Sequence, residues 1–207
     1  MRIDLHTHTS NYSNCASSTE AEQIEAAIAA GLDAMVLTDH NYQRTKEYLD
    51  TLNEKYAPFK IFAGVEINVT DACEDVLVIG VYDLAAHNYE SWTYPALYAY
   101  TRERGGFIAI PHAFRYNDGV NCDVVNFVPD AFELKSKNIN PARAHLIQNL
   151  ADELGVQTVV ASDAHRTLNI GMHHLVLDND VYTEADLVRE QKAGRFSFGE
   201  IAINGSK

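Results

Sequence analysis

The sequence predicts an α/β barrel with a polar site at the mouth formed by the C-terminal ends of its strands. Two observations carry that expectation. Short apolar runs alternate with stretches of helical periodicity along most of the 207 residues, the alternation of a parallel sheet or barrel. His8, His40, Glu66, His112 and the Asp163/His165 pair each fall at or just past the C-terminal boundary of an apolar run. In a parallel barrel those ends gather at one rim, where active sites are built.

Taken in order, Met1 to Thr9 reads as the first strand, because Ile3 and Leu5 alternate with Asp4, His6 and His8. Ser10 to Ser18 is a polar loop. Thr19 and Glu22 have capping-box spacing, and Ile24, Ala27, Ile28 and Leu32 follow at helical intervals toward Gly31. Ala34 to Thr38 is a short buried strand leading into Asp39 and His40. Residues 43–55 predict a second helix, Phe59 to Val65 a third strand closed by Glu66, and Val76 to Val81 a fourth strand introduced by Glu74 and Asp75. A helix over 90–104 ends at Gly105-Gly106, after Arg102 and Arg104. Phe107 to Ile110 is a fifth strand delivering Pro111-His112, and Asn117 to Pro129 is loop. Ala131 to Leu134 is a sixth strand. Pro141 suits the first turn of a helix that runs to Leu154 and stops at Gly155. Val156 to Ala161 is the seventh strand, with a further strand over 174–177 and a helix from Glu184 to Ala193.

Length fits one domain spanning residues 1–207, with room for a substantial core. The 46% hydrophobic and 22% charged residues are ordinary globular values, so the fold needs no special class. No apolar run approaches the ~20 residues that span a bilayer, and no basic-then-apolar leader opens the chain. Cys15, Cys73 and Cys122 are odd in number and widely spaced, which suits reduced thiols and a cytoplasmic location. The net charge of −13 argues against a long nucleic-acid duplex or an anionic membrane as partner. A small phosphorylated molecule stays compatible with it, because bound cations reverse the local sign.

Two imidazoles one residue apart can grip a divalent cation from an extended backbone. Judged singly, each such histidine reads as structural; recurrence in Thr38-Asp39-His40, Pro111-His112 and Asp163-Ala164-His165 is what points to a convergent site. These segments, with Asp4-Leu-His-Thr-His8 and Gly64-Val-Glu66, resemble the successive motifs of the PHP family, named for polymerase and histidinol phosphatase domains. The resemblance runs from residue 3 to about residue 166, in family order. It implies a distorted (β/α)7, TIM-like barrel that hydrolyses phosphoesters with one to three divalent Zn, Mn or Fe ions. Carried over, His6, His8, Glu66 and Asp163 hold one metal, Glu66 bridges to a second bound by His112, and His40 and His165 serve a third. Two of the nine ligands of a full site are unmatched. Asn14 and Cys15 stand where the loop after His8 normally supplies a His or Asp, Cys15 being the better donor. Asp75 and His87 lie near the other position.

Imidazole and carboxylate donors together suit these metals rather than Ca. The implied reaction is attack on phosphorus by a metal-activated hydroxide, with His40 or His165 as proton donor to the leaving group. Arg115 and Arg166 closely follow ligands and are read as phosphate clamps, with surface ion pairs as the competing reading. Asp4 reads as orienting a ligand and Glu133 as a hydrogen-bonding support. His87, His145, His173 and His174 read as surface or packing residues, and Tyr12 and Tyr116 as weak candidates. Two alternatives accompany the phosphoesterase: hydrolysis of an amide or phosphotyrosyl bond, and a degenerate PHP domain holding metal in a regulatory or structural role.

Overall fold

The central strands are apolar on both sides, which demands cover for both faces of the sheet. In the computed structural model, which describes residues 1–72, 74–86 and 92–202, the sheet meets this demand by curling into a nearly closed barrel with helices outside it. Nine strands are present among the described residues: β1 (Arg2–Asp4), β2 (Ala34–Leu37), β3 (Lys60–Val69), β4 (Glu74–Ile79), β5 (Phe107–Ile110), β6 (Ala131–Lys135), β7 (Gln157–Val160), β8 (His173–Leu177) and β9 (Phe196–Glu200). Their order is β7-β6-β5-β4-β3-β2-β1-β8-β9. Parallel contacts between Thr7 and Ala164 bring the β1 and β7 segments together, with His8 N donating to Ala164 O at 2.9 Å.

Alternation sorts the side chains. Ile3, Ala34, Val36, Phe62, Leu77, Phe107, Ala109, Ala131 and Val159 fill the interior, joined by Leu187 and Val188. The latter two belong to α5 (Glu184–Lys192). Met35, Leu37, Ile61 and Ala63 face outward onto α1 (Glu20–Ala29) and α2 (Lys46–Lys55). Val76, Val78, Ile108, Ile110 and Phe132 pack with residues of α3 (Tyr94–Glu103) and α4 (Ala144–Leu154). The capping box at Thr19 and Glu22 forms, and Gly155 closes α4 in the left-handed conformation at φ 68°, as the sequence predicts.

Several expectations are corrected. Among the described residues the sheet has nine strands where the sequence predicts eight, and β4 is antiparallel to both β3 and β5. No helix separates β3 from β4; a hairpin joins them, and its ladder prolongs β3 past Glu66 to Val69, so Glu66 lies inside a strand instead of closing one. β4 accordingly starts at Glu74 and stops at Ile79, short of Val81. The ladder of β1 covers only Arg2–Asp4, because residues beyond it leave β2 to bond across the barrel seam and to side chains such as Thr38 Oγ1. Thr45 caps α2, which delays that helix to Lys46. Residues 141–143 form a single tight turn before α4. β9 was not anticipated. His87 and Cys73 lie outside the described residues.

Candidate metal centre

β1, β2, β3, β5 and β7 run so that the residues following them, or near their ends, reach one rim. Backbone strain collects there. Among the described residues, four non-glycines have positive φ: Asn41 (51°), His112 (28°), Phe114 (62°) and Asp163 (52°). Two are proposed ligands and a third follows His40. Such conformations cost of order 1–3 kcal/mol each and cluster where function requires an otherwise unfavourable side-chain direction.

The inner cluster is fully buried. His6 Nε2 and His8 Nε2 face each other at 2.9 Å. Asp163 Oδ1 lies 3.4 Å from the first and 3.3 Å from the second, and Glu66 Oε2 lies 3.3 and 3.1 Å from them. Glu66 divides its oxygens between two groups. Oε2 also faces His40 Nδ1 at 3.1 Å, whereas Oε1 faces His112 Nε2 at 3.0 Å. That is the disposition of a carboxylate able to bridge two cations. His165 Nδ1 stands 3.4 Å from Asp163 Oδ1, and the His40 and His165 rings each stack on His8, at centroid distances of 4.5 and 4.4 Å. The structure thus brings together all seven residues expected as ligands.

A cation fits this arrangement. Glu66 Oε2 and Asp163 Oδ1 are buried without a hydrogen-bond donor, a costly state for a carboxylate unless positive charge compensates it. Three groups offer converging donor atoms, all within 4.8 Å of one another in each group: His6, His8 and Asp163; His40, Glu66 and Asp75; and His8, Cys15, His40 and His165. Electrostatics agree. Burial alone depresses the His6 and His8 imidazoles, but Asp163 and Glu66 outweigh it, holding His6 well above the usual histidine range and His8 at about 9. His40 and His165 are pushed down by burial with His8 adding to it, so they are neutral near pH 7 and available as ligands. Burial and neighbouring carboxylates raise the Cys15 thiol.

The supports around the cluster explain its precision. Glu133 accepts at Oε1 from His6 Nδ1 at 3.0 Å and at Oε2 from the His112 backbone N at 3.1 Å, fixing one ring and one strained turn. Asp4 stays off the cluster; its carboxylate accepts from Ser162 N at 3.0 Å and Gly171 N at 2.8 Å, and burial raises it to about 6. Buried Arg44 donates to Glu20 and Asp39, and Asp39 in turn holds Thr9 and Ser13. Ser13 Oγ contacts His8 Nδ1 at 3.3 Å and accepts from His40 N at 3.0 Å. This chain of contacts was not anticipated, since its members are scattered in the sequence. Asp75 reaches the rim because β4 is antiparallel, which presents its N-terminal end there; Asp75 Oδ2 lies 3.9 Å from His112 Nε2.

Beside the cluster opens a cavity of about 490 Å³ lined by Cys15, Arg115, Lys137, Asn138, His165 and Arg166, among others. Arg115 donates to Asn138 Oδ1 at 3.2 Å and lies over the Tyr116 ring; Asn138 in turn donates to Asp163. Neither Arg115, Lys137 nor Arg166 pairs with a carboxylate among the described residues. Tyr12 stacks on Tyr42 at 3.8 Å and is occupied in covering Arg44. His145 is exposed on α4, His173 rests 3.5 Å from Glu200, and buried His174 contacts Gly171 O and Arg2. None of the three belongs to a metal-competent group among the described residues. No described helix is long and apolar enough to cross a membrane.

Solved structures resemble the chain in fold. A two-domain protein from Bacteroides vulgatus ATCC 8482, described as containing a predicted PHP-like metal-dependent phosphoesterase, superposes with a TM-score of 0.72 at 13% identity, over 97% of this chain and 64% of that one. PsfC from Pseudomonas syringae PB-5123 gives 0.70 at 20% identity, covering 97% and 91%. An amidohydrolase from Chromobacterium violaceum, with bound sulfate and no metal, gives 0.69 at 16%, covering 95% and 98%. No curated protein sequence matches the chain significantly. The sequence profile of the PHP domain does match it, over residues 4–191, and with that extent the chain belongs to the PHP domain family.

Proposed function

We propose that this protein is a metal-dependent phosphoesterase acting on a small phosphorylated molecule. The observation that carries the metal requirement is the pair of donorless buried oxygens, Glu66 Oε2 and Asp163 Oδ1, set against His6 Nε2 and His8 Nε2. His6, His8, Glu66 and Asp163 would hold one ion, Glu66 with His112 and Asp75 a second, and His40 with His165 a third, as Zn, Mn or Fe. Bound there, a divalent ion acidifies a water and draws charge from the phosphoryl oxygens. Arg115, Lys137 and Arg166 supply the phosphate preference: three cations without carboxylate partners among the described residues line one cavity of a protein whose net charge is −13. Each guanidinium can grip two phosphoryl oxygens and orient the ester toward the cluster. His40 and His165, neutral at physiological pH, suit ligation better than the proton-donor role.

Amide hydrolysis is the second reading, favoured by the fold shared with an amidohydrolase. A purely regulatory domain is less well supported, because Asp75 stands in one of the two gaps that motivated it. The test is elemental analysis of protein purified without chelator, followed by turnover of a generic aryl phosphate and an aryl amide. Stoichiometric transition metal and chelator-sensitive phosphate release are expected. Sub-stoichiometric metal after reconstitution, or amide turnover alone, overturns the proposal.

A further inference from the structure

The loop between His8 and α1 holds its middle rigidly against the metal-competent rim. Ser17 N donates to His165 O at 2.9 Å, and Ala16 N to Ser13 O at 3.0 Å. Ser13 is itself clamped by Asp39, by His8 and by the backbone of His40. The turn is therefore fastened to both strand ends that carry the outer histidines, and Cys15 projects between them. Its sulfur and one ring nitrogen each of His8, His40 and His165 lie within 4.8 Å of one another. Cys15 and His165 also line the cavity of about 490 Å³, so a solvated ion can reach them. Asn14, beside it, is exposed.

We infer that Cys15 is a thiolate ligand of the outer metal, adding a sulfur to the His40 and His165 imidazoles, and that this sulfur selects zinc over manganese at that position. The inference rests on the metal-dependent reading above. Its chemistry is that of donor softness: a thiolate favours zinc and other borderline or soft ions, whereas carboxylate and water suit manganese. Binding breaks the Cys15 S–H bond, forms a sulfur–metal bond and releases the proton to solvent. The inner cluster, with Glu66 and Asp163 among its donors, has no sulfur and lacks that added preference. The protein would then be a mixed-metal centre, with one position specified by a single residue outside the histidine and acidic motifs.

Cobalt(II) separates the possibilities, because imidazole and carboxylate sites give visible ligand-field bands while a thiolate adds a near-ultraviolet charge-transfer band. The full-length protein, freed of metal and titrated with cobalt, is expected to show both. Cys15→Ser should lose the charge-transfer band and about one equivalent of metal while keeping the visible bands; Cys73→Ser should keep everything. Cys15→Asp should shift competition at the outer position toward manganese. X-ray absorption of the zinc-loaded wild type gives a check free of mutation: one sulfur at about 2.3 Å is expected. Visible bands without a charge-transfer band, a band that survives Cys15→Ser, or zinc surrounded only by nitrogen and oxygen would overturn the role of Cys15 alone. No cobalt binding of any kind would overturn the metal reading and this one with it.

Discussion

Glu66 is fully buried, has an oxygen with no donor, and faces four imidazoles with two oxygens. Replacing one oxygen by an amide keeps the shape and removes the charge, so Glu66→Gln should abolish phosphate release and lower metal content at two positions together. Normal turnover in that variant would make Glu66 a structural acid. Glu133 acts through others: it holds a ring nitrogen of His6 and the backbone of His112. Loss of such an outer partner typically costs 10–100-fold in metal affinity, so Glu133→Gln should need that much more metal for full activity, with kcat recovering at saturation. Arg115→Ala or Arg166→Ala should lower kcat/KM for a phosphomonoester about tenfold, or ~1.4 kcal/mol, with metal content unchanged and only partial rescue by Lys. Two normal variants would remove the arginines from substrate binding. The gathered histidines and acids were legible because each sits in a short local pattern. Glu133 was legible in kind, whereas Arg44, Ser13 and Lys137 were not, because the contacts of Arg44 and Ser13 reach across as many as 35 positions and Lys137 meets Cys15 and Arg166 only as walls of one cavity.

At the scale of elements, the β3–β4 hairpin is where sequence and structure part. Alternating apolar runs separated by a few polar residues look the same whether the next strand returns parallel or antiparallel, and residues 70–73 are too few for a helical crossover. Only the ladder settles it, and the ladder decides where Asp75 goes: Glu66 pairs with Leu77, so Asp75, Leu77 and Ile79 share the inward face. β9 escaped notice for another reason, since Phe196–Glu200 is short, largely solvent-facing and ends in Gly199-Glu200. Gly64 sets how closely β3 approaches β2 just below the site. A Cβ there would come within 2.5 Å of Val36 Cγ1 and 2.8 Å of Thr38 Cγ2. Gly64→Ala should therefore cost ~1–3 kcal/mol by overpacking, and because Glu66 is two residues further along the same strand, metal affinity should fall with it. A variant that loses neither stability nor metal would show that the two strands can separate freely, contrary to the buried packing on both sides.

For the whole molecule, the question is how a chain with a net charge of −13 keeps so many acids inside. Asp4, Asp39, Glu66, Glu133 and Asp163 are all buried, and Arg44 is the one buried Lys or Arg among the described residues. Arg44 is committed to Glu20 and Asp39. The acids around the rim are left with imidazoles as their only fixed counter-charges among the described residues, and those can neutralise carboxylates only by staying protonated. A divalent cation compensates them without that constraint, so binding should stabilise the fold as a whole, beyond ordering the rim. An ion present at about a hundred times its dissociation constant adds ~2.7 kcal/mol. For a chain of this length that corresponds to a rise in Tm of roughly 5–10 °C. Dialysis against chelator should lower Tm by about that amount, zinc or manganese should restore it, and calcium should not. In Glu66→Gln the restoration should be largely lost. If saturating metal leaves the wild-type Tm where chelator put it, the buried carboxylates are compensated from within, and the rim has no need of an ion.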